Sequence, residues 1–152
     1  MIITFCGHAQ ITHQEGLFKK VLSAINEHAQ GEDVLFYLGG YGDFDAIAKR
    51  ACRAYKERHP MAKLIFVTPY LHDNYLKNRE SALQDFDEIL YPEIEKTPPR
   101  YAIPKRNEWM ARQADFLIAY VDYGWGGAAK MLEHAVRHGK PFVNLGKKAF
   151  DS

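Results

Sequence analysis

Two glycine-rich stretches are spaced for anion chemistry, and each follows an apolar run. Leu38-Gly39-Gly40-Tyr41-Gly42-Asp43-Phe44-Asp45 comes after Val34-Leu35-Phe36-Tyr37. Tyr123-Gly124-Trp125-Gly126-Gly127-Ala128 comes after Phe116-Leu117-Ile118-Ala119-Tyr120-Val121. Glycine tolerates positive φ and lets the backbone approach a ligand closely. A helix opening behind such a turn presents unpaired N–H groups and the positive end of its dipole. Two such turns describe a protein built around a nucleotide, a sugar phosphate or a similar small anion. The carboxylates of Asp43 and Asp45 repel phosphate from the first turn. Asp43 suits ribose hydroxyls or a base N–H there; its alternative is an N-cap, worth about 0.5–2 kcal/mol. The second turn has no acid at 124–127 and carries Lys130 in the following first helical turn, so the anion is expected on Gly124, Trp125, Gly126 and Gly127. Neither turn has the G-x-G-x-x-G spacing or that of a P-loop.

Other polar residues gather beside these turns. Arg106 opens Arg106-Asn107-Glu108-Trp109-Met110 and can fork onto a phosphate, although the spacing fits a solvated ion pair with Glu108 equally well. Arg106, Met110 and Gln113 share one side of their helix. Glu133 follows the second turn at helical spacing, between Lys130 and Arg137, the pattern of a surface ion pair. His8, after Gly7, fits a general acid/base or a hydrogen-bonding partner of the ligand. His134 and His138 stand four apart without the H-E-x-x-H pattern, so no metal site is expected, and no Gly-x-Ser-x-Gly elbow occurs.

The elements that position these residues follow from periodicity. Strands are expected at 2–6, 34–38, 64–68, 88–91, 115–121 and 142–145, with helices at 15–29, 44–55, 103–114 and 128–138 and a less regular one at 74–83. The clearest helix places Phe44, Ile47, Ala48, Ala51, Cys52 and Tyr55 on one face. Strands apolar throughout, alternating with amphipathic helices, imply a single α/β Rossmann-like domain over residues 1–152, with a mainly parallel sheet and helices on both faces. Ligands bind such sheets outside the carboxyl ends of the strands. Gly7, His8, Gly39, Gly40, Asp43, Thr68, Tyr70, Tyr91 and residues 123–127 collect on that rim.

Composition narrows the partners. The 152 residues carry 20 basic and 19 acidic side chains, a net charge of +1. That balance argues against a nucleic-acid polymer, which usually demands a basic stripe. No apolar run reaches the ~18 residues that span a membrane, and the opening Ile2-Ile3-Thr4-Phe5-Cys6 lacks the basic lead of a signal peptide. Cys6 and Cys52 look like reduced core thiols, and a cytoplasmic location is expected.

The order of motifs resembles the SLOG superfamily, and most of all its YpsA-like group. The resemblance is carried by Phe5-Cys6-Gly7-His8, residues 39–45, Arg106-Asn107-x-Trp109-Met110, Ala114-Asp115-Phe116 and Gly126-Gly127-Ala128, in that order over nearly the whole chain. The superfamily also takes in Lonely-guy phosphoribohydrolases and DprA-like proteins. The resemblance implies a Rossmann-like fold that binds nucleotides or nucleotide-derived signals, including cyclic ADP-ribose-like molecules, as a sensor or sequestering protein without a cofactor. It also re-weights two residues. The 126–133 segment resembles the Lonely-guy motif Gly-Gly-x-Gly-Thr-x-x-Glu, which places Glu133 on the catalytic glutamate and Arg106 on the arginine of an upstream Arg-Lys-x-x-Met motif. Ala129 and Lys130 stand where that motif has glycine and threonine, and Asn107 replaces the lysine. The implied alternative is an enzyme cleaving an N-glycosidic bond, a nucleoside monophosphate phosphoribohydrolase or deoxyribosyltransferase-like activity, in which Glu133 and Arg106 are catalytic. Lonely-guy-like proteins pair through helices, so a homodimer or tetramer is expected, with Trp109 or the 70–91 segment near the contact. The alternative is that these rings cap the sheet of one chain.

Overall fold

Alternating side chains on the central strands feed two apolar cores, one on each face of a parallel sheet. The computed structural model describes residues 1–70 and 84–146. Its strands are β1 (Ile2–Gly7), β2 (Leu35–Leu38), β3 (Lys63–Val67), β4 (Glu88–Leu90), β5 (Phe116–Tyr120) and β6 (Phe142–Asn144). They form a sheet in the order β4-β3-β2-β1-β5-β6, every neighbouring pair parallel. Ile3 pairs with Phe36 on one side and Phe116 on the other, which puts β1 in the middle. The helices are α1 (Leu17–His28), α2 (Asp43–Arg58), α3 (Ala102–Gln113) and α4 (Gly127–Arg137). The expected helix at 74–83 lies outside the described residues.

Successive strand residues point to opposite faces, and the cores divide accordingly. Ile3, Phe5, Phe36, Leu38, Phe116 and Ile118 pack against α1 and α2, with Val21, Ile25, Phe44 and Ala48. Cys6, Tyr37, Leu117 and Ala119 face α3 and α4, with Met110, Ala111 and Leu132. The fold class is therefore α/β and Rossmann-like, with both sheet faces covered. Cys6 and Cys52 are free and buried, and burial raises both thiol pKa values. Trp109, half-buried, stacks on Tyr37 with ring centroids 5.6 Å apart. No described helix is long and apolar enough to cross a membrane.

Strands β1 to β4 proceed outward in one direction, and the chain then returns to place β5 on the other side of β1. The connection leaving β1 leads to α1 on one face, and the one leaving β5 leads to α4 on the opposite face. Diverging connections open a crevice at this switch point, the place where α/β sheets take ligands. Asn144 fixes the root of the second glycine turn there. Its Oδ1 accepts the N–H of Val121 at 3.0 Å, and its Nδ2 donates to the Val121 carbonyl at 2.9 Å.

Candidate functional site

A cavity of about 280 Å³ occupies the crevice at the carboxyl ends of β1, β2 and β5. Of the residues singled out in the sequence, Gly7, His8, Gly39, Arg106, Asn107, Gly126 and Gly127 line it. Gly40, Asp43, Thr68, Tyr70, Gly124, Trp125 and Glu133 are not among its lining residues. Asp45, Tyr41, Tyr123, Ile103, Met110 and Met131 are among the other residues of its wall.

The two carboxylates of the first turn have divided roles. Gly42, with φ 95°, is the N-cap of α2, which displaces Asp43 from the capping position considered above. Asp43 Oδ2 instead accepts the N–H of Ile11 at 2.9 Å and Gln14 Nε2 at 3.2 Å, pinning the segment after β1. Asp45 is the carboxylate that lines the cavity. It lies on the face of α2 that carries the buried Ala48 and Cys52, a periodicity that could have marked it in the sequence, where Asp43 is favoured instead. Burial pushes its pKa up to about 6, against the opposing pull of the Tyr41 N–H, the Arg106 charge and the Gly40 N–H. The Tyr41 N–H donates to Oδ2 at 3.3 Å.

Arg106 is 5% exposed, so the alternative of a solvated ion pair with Glu108 does not hold; Lys105 meets Glu108 instead, at 3.6 Å. One guanidinium nitrogen of Arg106 donates to the carbonyls of Gly39 at 3.1 Å and Val67 at 2.7 Å, joining the ends of β2 and β3. Its Nε donates to Asn107 Oδ1 at 2.9 Å. Burial lowers its pKa, with Asp45 opposing. Arg106 is thus a buried clamp that also supplies positive charge to the cavity wall. Met110, one helical turn on and almost fully buried, marked this side of α3.

On the opposite wall, His8 is 4% exposed and stacks on Tyr123 at 3.7 Å, the rings within 4° of parallel. Burial lowers its pKa, and Asp122 pulls it back. Its Nε2 lies 3.1 Å from the Asp122 N–H, which it accepts when the ring is neutral, and 3.1 Å from Asp122 Oδ1, to which it donates when Nε2 carries a proton. Tyr123 also packs on Trp125, centroids 4.3 Å apart, and Trp125 is 70% exposed. Three rings therefore run from the buried floor to the surface.

The second turn ends at Gly126, the N-cap of α4, with φ 90°. A Cβ at Gly124, Gly126 or Gly127 would meet nothing within 4 Å. The first intrahelical bond is from Lys130 N to the Gly126 carbonyl. Among the described residues, no acceptor meets the N–H groups of Gly127, Ala128 or Ala129. The α4 terminus thus faces the cavity with its donors unspent. Thr68 is closed on itself, its hydroxyl bonded within a turn to the backbone of Tyr70. Glu133 is exposed and lines a neighbouring groove between α3 and α4.

No protein-family model matches the chain, and no curated protein matches it. Solved structures do. The DNA processing protein A (DprA) of Streptococcus pneumoniae superposes with a TM-score of 0.64 at 16% identity, over 98% of this chain and 51% of that one. The DprA of Helicobacter pylori gives 0.65 at 18% identity, over 100% and 68%. A structural-genomics target, TM1055, gives 0.58 at 12% identity, over 93% and 71%. These likenesses establish a shared fold, and the chain spans about half the length of the Streptococcus protein.

The Helicobacter structure is described as showing a single-stranded DNA binding mode. The expectation that near-neutral charge removes nucleic-acid polymers from consideration is therefore overturned. Net charge sums over every face of a protein. Single strands are held by a local groove and by rings that stack on bases, neither of which requires a basic whole.

Proposed function

We propose that the chain binds a nucleotide or a nucleotide-derived molecule in the crevice, its phosphate on the N-terminus of α4 and its hydroxyl-bearing part towards Asp45. The observation that carries this reading is the unspent donor end of α4 facing a cavity that also contains a carboxylate. Backbone N–H groups and a helix dipole suit an anion, while a carboxylate accepts hydroxyls and repels phosphate. The Tyr123 and Trp125 rings supply a base-stacking face beside that anion position. The order of motifs shared with the SLOG superfamily and the fold shared with DprA support the same reading, and placement in the YpsA-like group belongs to this proposal. Binding is favoured over N-glycosidic cleavage because Glu133 stands outside the cavity. Such a protein acts as a sensor or by sequestering its ligand.

A second reading, a nucleotide unit within a single strand, is favoured by one observation. Trp125 continues the ring stack beyond the cavity wall, where an additional base would find a platform.

Calorimetry with the common nucleoside 5′-monophosphates and their parent nucleosides tests the proposal. At least one monophosphate binds, and its nucleoside binds at least about tenfold more weakly, the loss expected for charge-assisted hydrogen bonds. Equal affinity for the two would remove the phosphate from α4.

A further inference from the structure

The two glycine turns carry the same pattern at their centres. Gly40-Tyr41-Gly42 leads into α2 and Gly124-Trp125-Gly126 into α4, so an aromatic residue stands immediately before each N-cap glycine. The caps share a backbone conformation, with φ 95° and 90°, so the chain enters both helices from the same direction. Among the described residues, these are also the two most exposed large apolar side chains, Tyr41 at 77% and Trp125 at 70%. A single exposed ring is ordinary on a protein surface. Two at matching positions on the lips of one crevice call for a common cause.

The sheet sets their separation. β2 and β5 flank β1 on either side. Neighbouring strands lie about 4.8 Å apart, so the turns that follow β2 and β5 start about 10 Å apart. That width exceeds one stacked ring pair, whose centroids lie about 4.5–7 Å apart, and matches two stacked pairs that share a middle ring. Tyr41 lines the cavity itself. Trp125 ends the ladder that begins at His8. Rings 3.7 and 4.3 Å from Tyr123 cannot share one of its faces, so both faces of Tyr123 are taken and the ladder offers the outer face of Trp125. The exposed Ile103 lines the same cavity and gives it an apolar edge. The two mounts differ. The Tyr41 N–H is bonded to Asp45, and the glycines beside it lie against Phe66 and Ala9, so this ring stands on a fixed base. A side chain added at Gly124 or Gly126 would meet nothing within 4 Å, so the base of Trp125 has room to adjust.

We infer that Tyr41 and Trp125 are the two jaws of an aromatic clamp, which takes one planar group of the ligand between them at the mouth of the crevice. Tyr41 is then a specificity-determining residue. It selects a ligand whose flat heteroaromatic ring extends out of the cavity, and it discriminates against sugar phosphates that lack one. This inference rests on the nucleotide reading proposed above and gives the base its place and its second contact.

The test is calorimetry on the full chain with AMP and with ribose 5-phosphate, which keeps the sugar and phosphate and lacks the base. AMP should bind at least about fivefold more tightly, because each ring contact is worth about two- to twelvefold. Tyr41→Ala and Trp125→Ala should each cost AMP about two- to twelvefold in affinity and leave ribose 5-phosphate unchanged. The thermal midpoint should stay at the parent value in both, since both side chains are exposed. Tyr41→Phe keeps the ring and should keep the AMP advantage. Failure of AMP and ribose 5-phosphate alike to bind overturns the nucleotide reading and the clamp together. Equal binding of the two overturns the clamp and leaves the phosphate placement standing. So does a Tyr41→Ala variant that binds AMP like the parent, which would leave the base on Trp125 alone. A Tyr41→Ala loss that falls equally on ribose 5-phosphate would make Tyr41 a support for Asp45 and refute its role as a jaw.

Discussion

The two glycine turns share a backbone and differ in what surrounds it. Gly42 and Gly126 cap α2 and α4 with φ/ψ of 95°/171° and 90°/179°, nearly superimposable conformations. Around Gly42 the protein is closed. A Cβ there would lie 2.7 Å from Ala9 Cα, and one at Gly40 would lie 2.9 Å from the Phe66 ring. Two of the first three α2 donors are also consumed: the Asp43 N–H bonds to the Ala9 carbonyl at 2.8 Å and the Phe44 N–H to that of His8 at 3.4 Å. Around Gly126 the same conformation opens on empty space with donors unspent. One local grammar thus serves two purposes. The first turn lets chain segments approach one another, and the second lets something else approach the chain.

Substitutions break this comparison most sharply. Gly42→Ala meets both an unfavourable φ and a backbone atom, and should cost roughly 2–4 kcal/mol in urea denaturation. Gly127→Ala should stay within about 1 kcal/mol of the parent, in the stabilising direction, because alanine is the better helix former. Gly127→Asp sharpens the contrast. An acid at a helix N-terminus is favoured by about 0.3–1 kcal/mol, so the fold should be retained while nucleotide monophosphate affinity falls at least about tenfold. Equal destabilisation by Gly42→Ala and Gly127→Ala would show that the two turns are not different in kind.

Asp45 provides a pH-dependent contrast. Its pKa of about 6 lies above the ordinary carboxylate value, so between about pH 4 and 6 the native state holds a proton that the unfolded chain has released. Stability from this group is full below the ordinary value and is lost as pH rises through about 6, by up to about 3 kcal/mol. Asp45→Asn should flatten that fall in a pH series of thermal unfolding. An unchanged profile would show that the carboxylate is not held in the cavity wall as described. The smallest effect is expected at the outermost ring. Trp125→Ala should weaken nucleotide binding by about 0.5–1.5 kcal/mol, and the parent's tryptophan emission should quench on binding while that of Trp125→Phe does not.

Much of the architecture was legible in the sequence because hydrophobic periodicity encodes it directly. The i, i+3, i+4 pattern from Phe44 to Tyr55 yields the buried face of α2, and the apolar runs yield the parallel strands. The roles of individual polar residues were harder to read, because they depend on contacts distant in sequence. Asp43 is claimed by Ile11 and Gln14, residues of the segment after β1, and nothing local distinguishes it from Asp45 except the helical face it occupies. Arg106 is buried because two carbonyls, at Gly39 and Val67, converge on it from separate strands. Met110 signalled the buried side of that helix, but not the acceptors. Charge balance misled for a simpler reason: a whole-chain sum contains no information about one groove.

Amide chemical shifts test the central claim most directly, because both helix termini report in one spectrum. On titrating the labelled protein with inorganic phosphate, and then with the tightest-binding nucleoside monophosphate, the N–H resonances of Gly127, Ala128 and Ala129 should move in a saturable manner. Those of Asp43 and Phe44, already bonded within the protein, should remain near their starting positions. Saturable shifts at Asp43 and Phe44 with none at residues 127–129 would contradict the account and place the anion at the first turn.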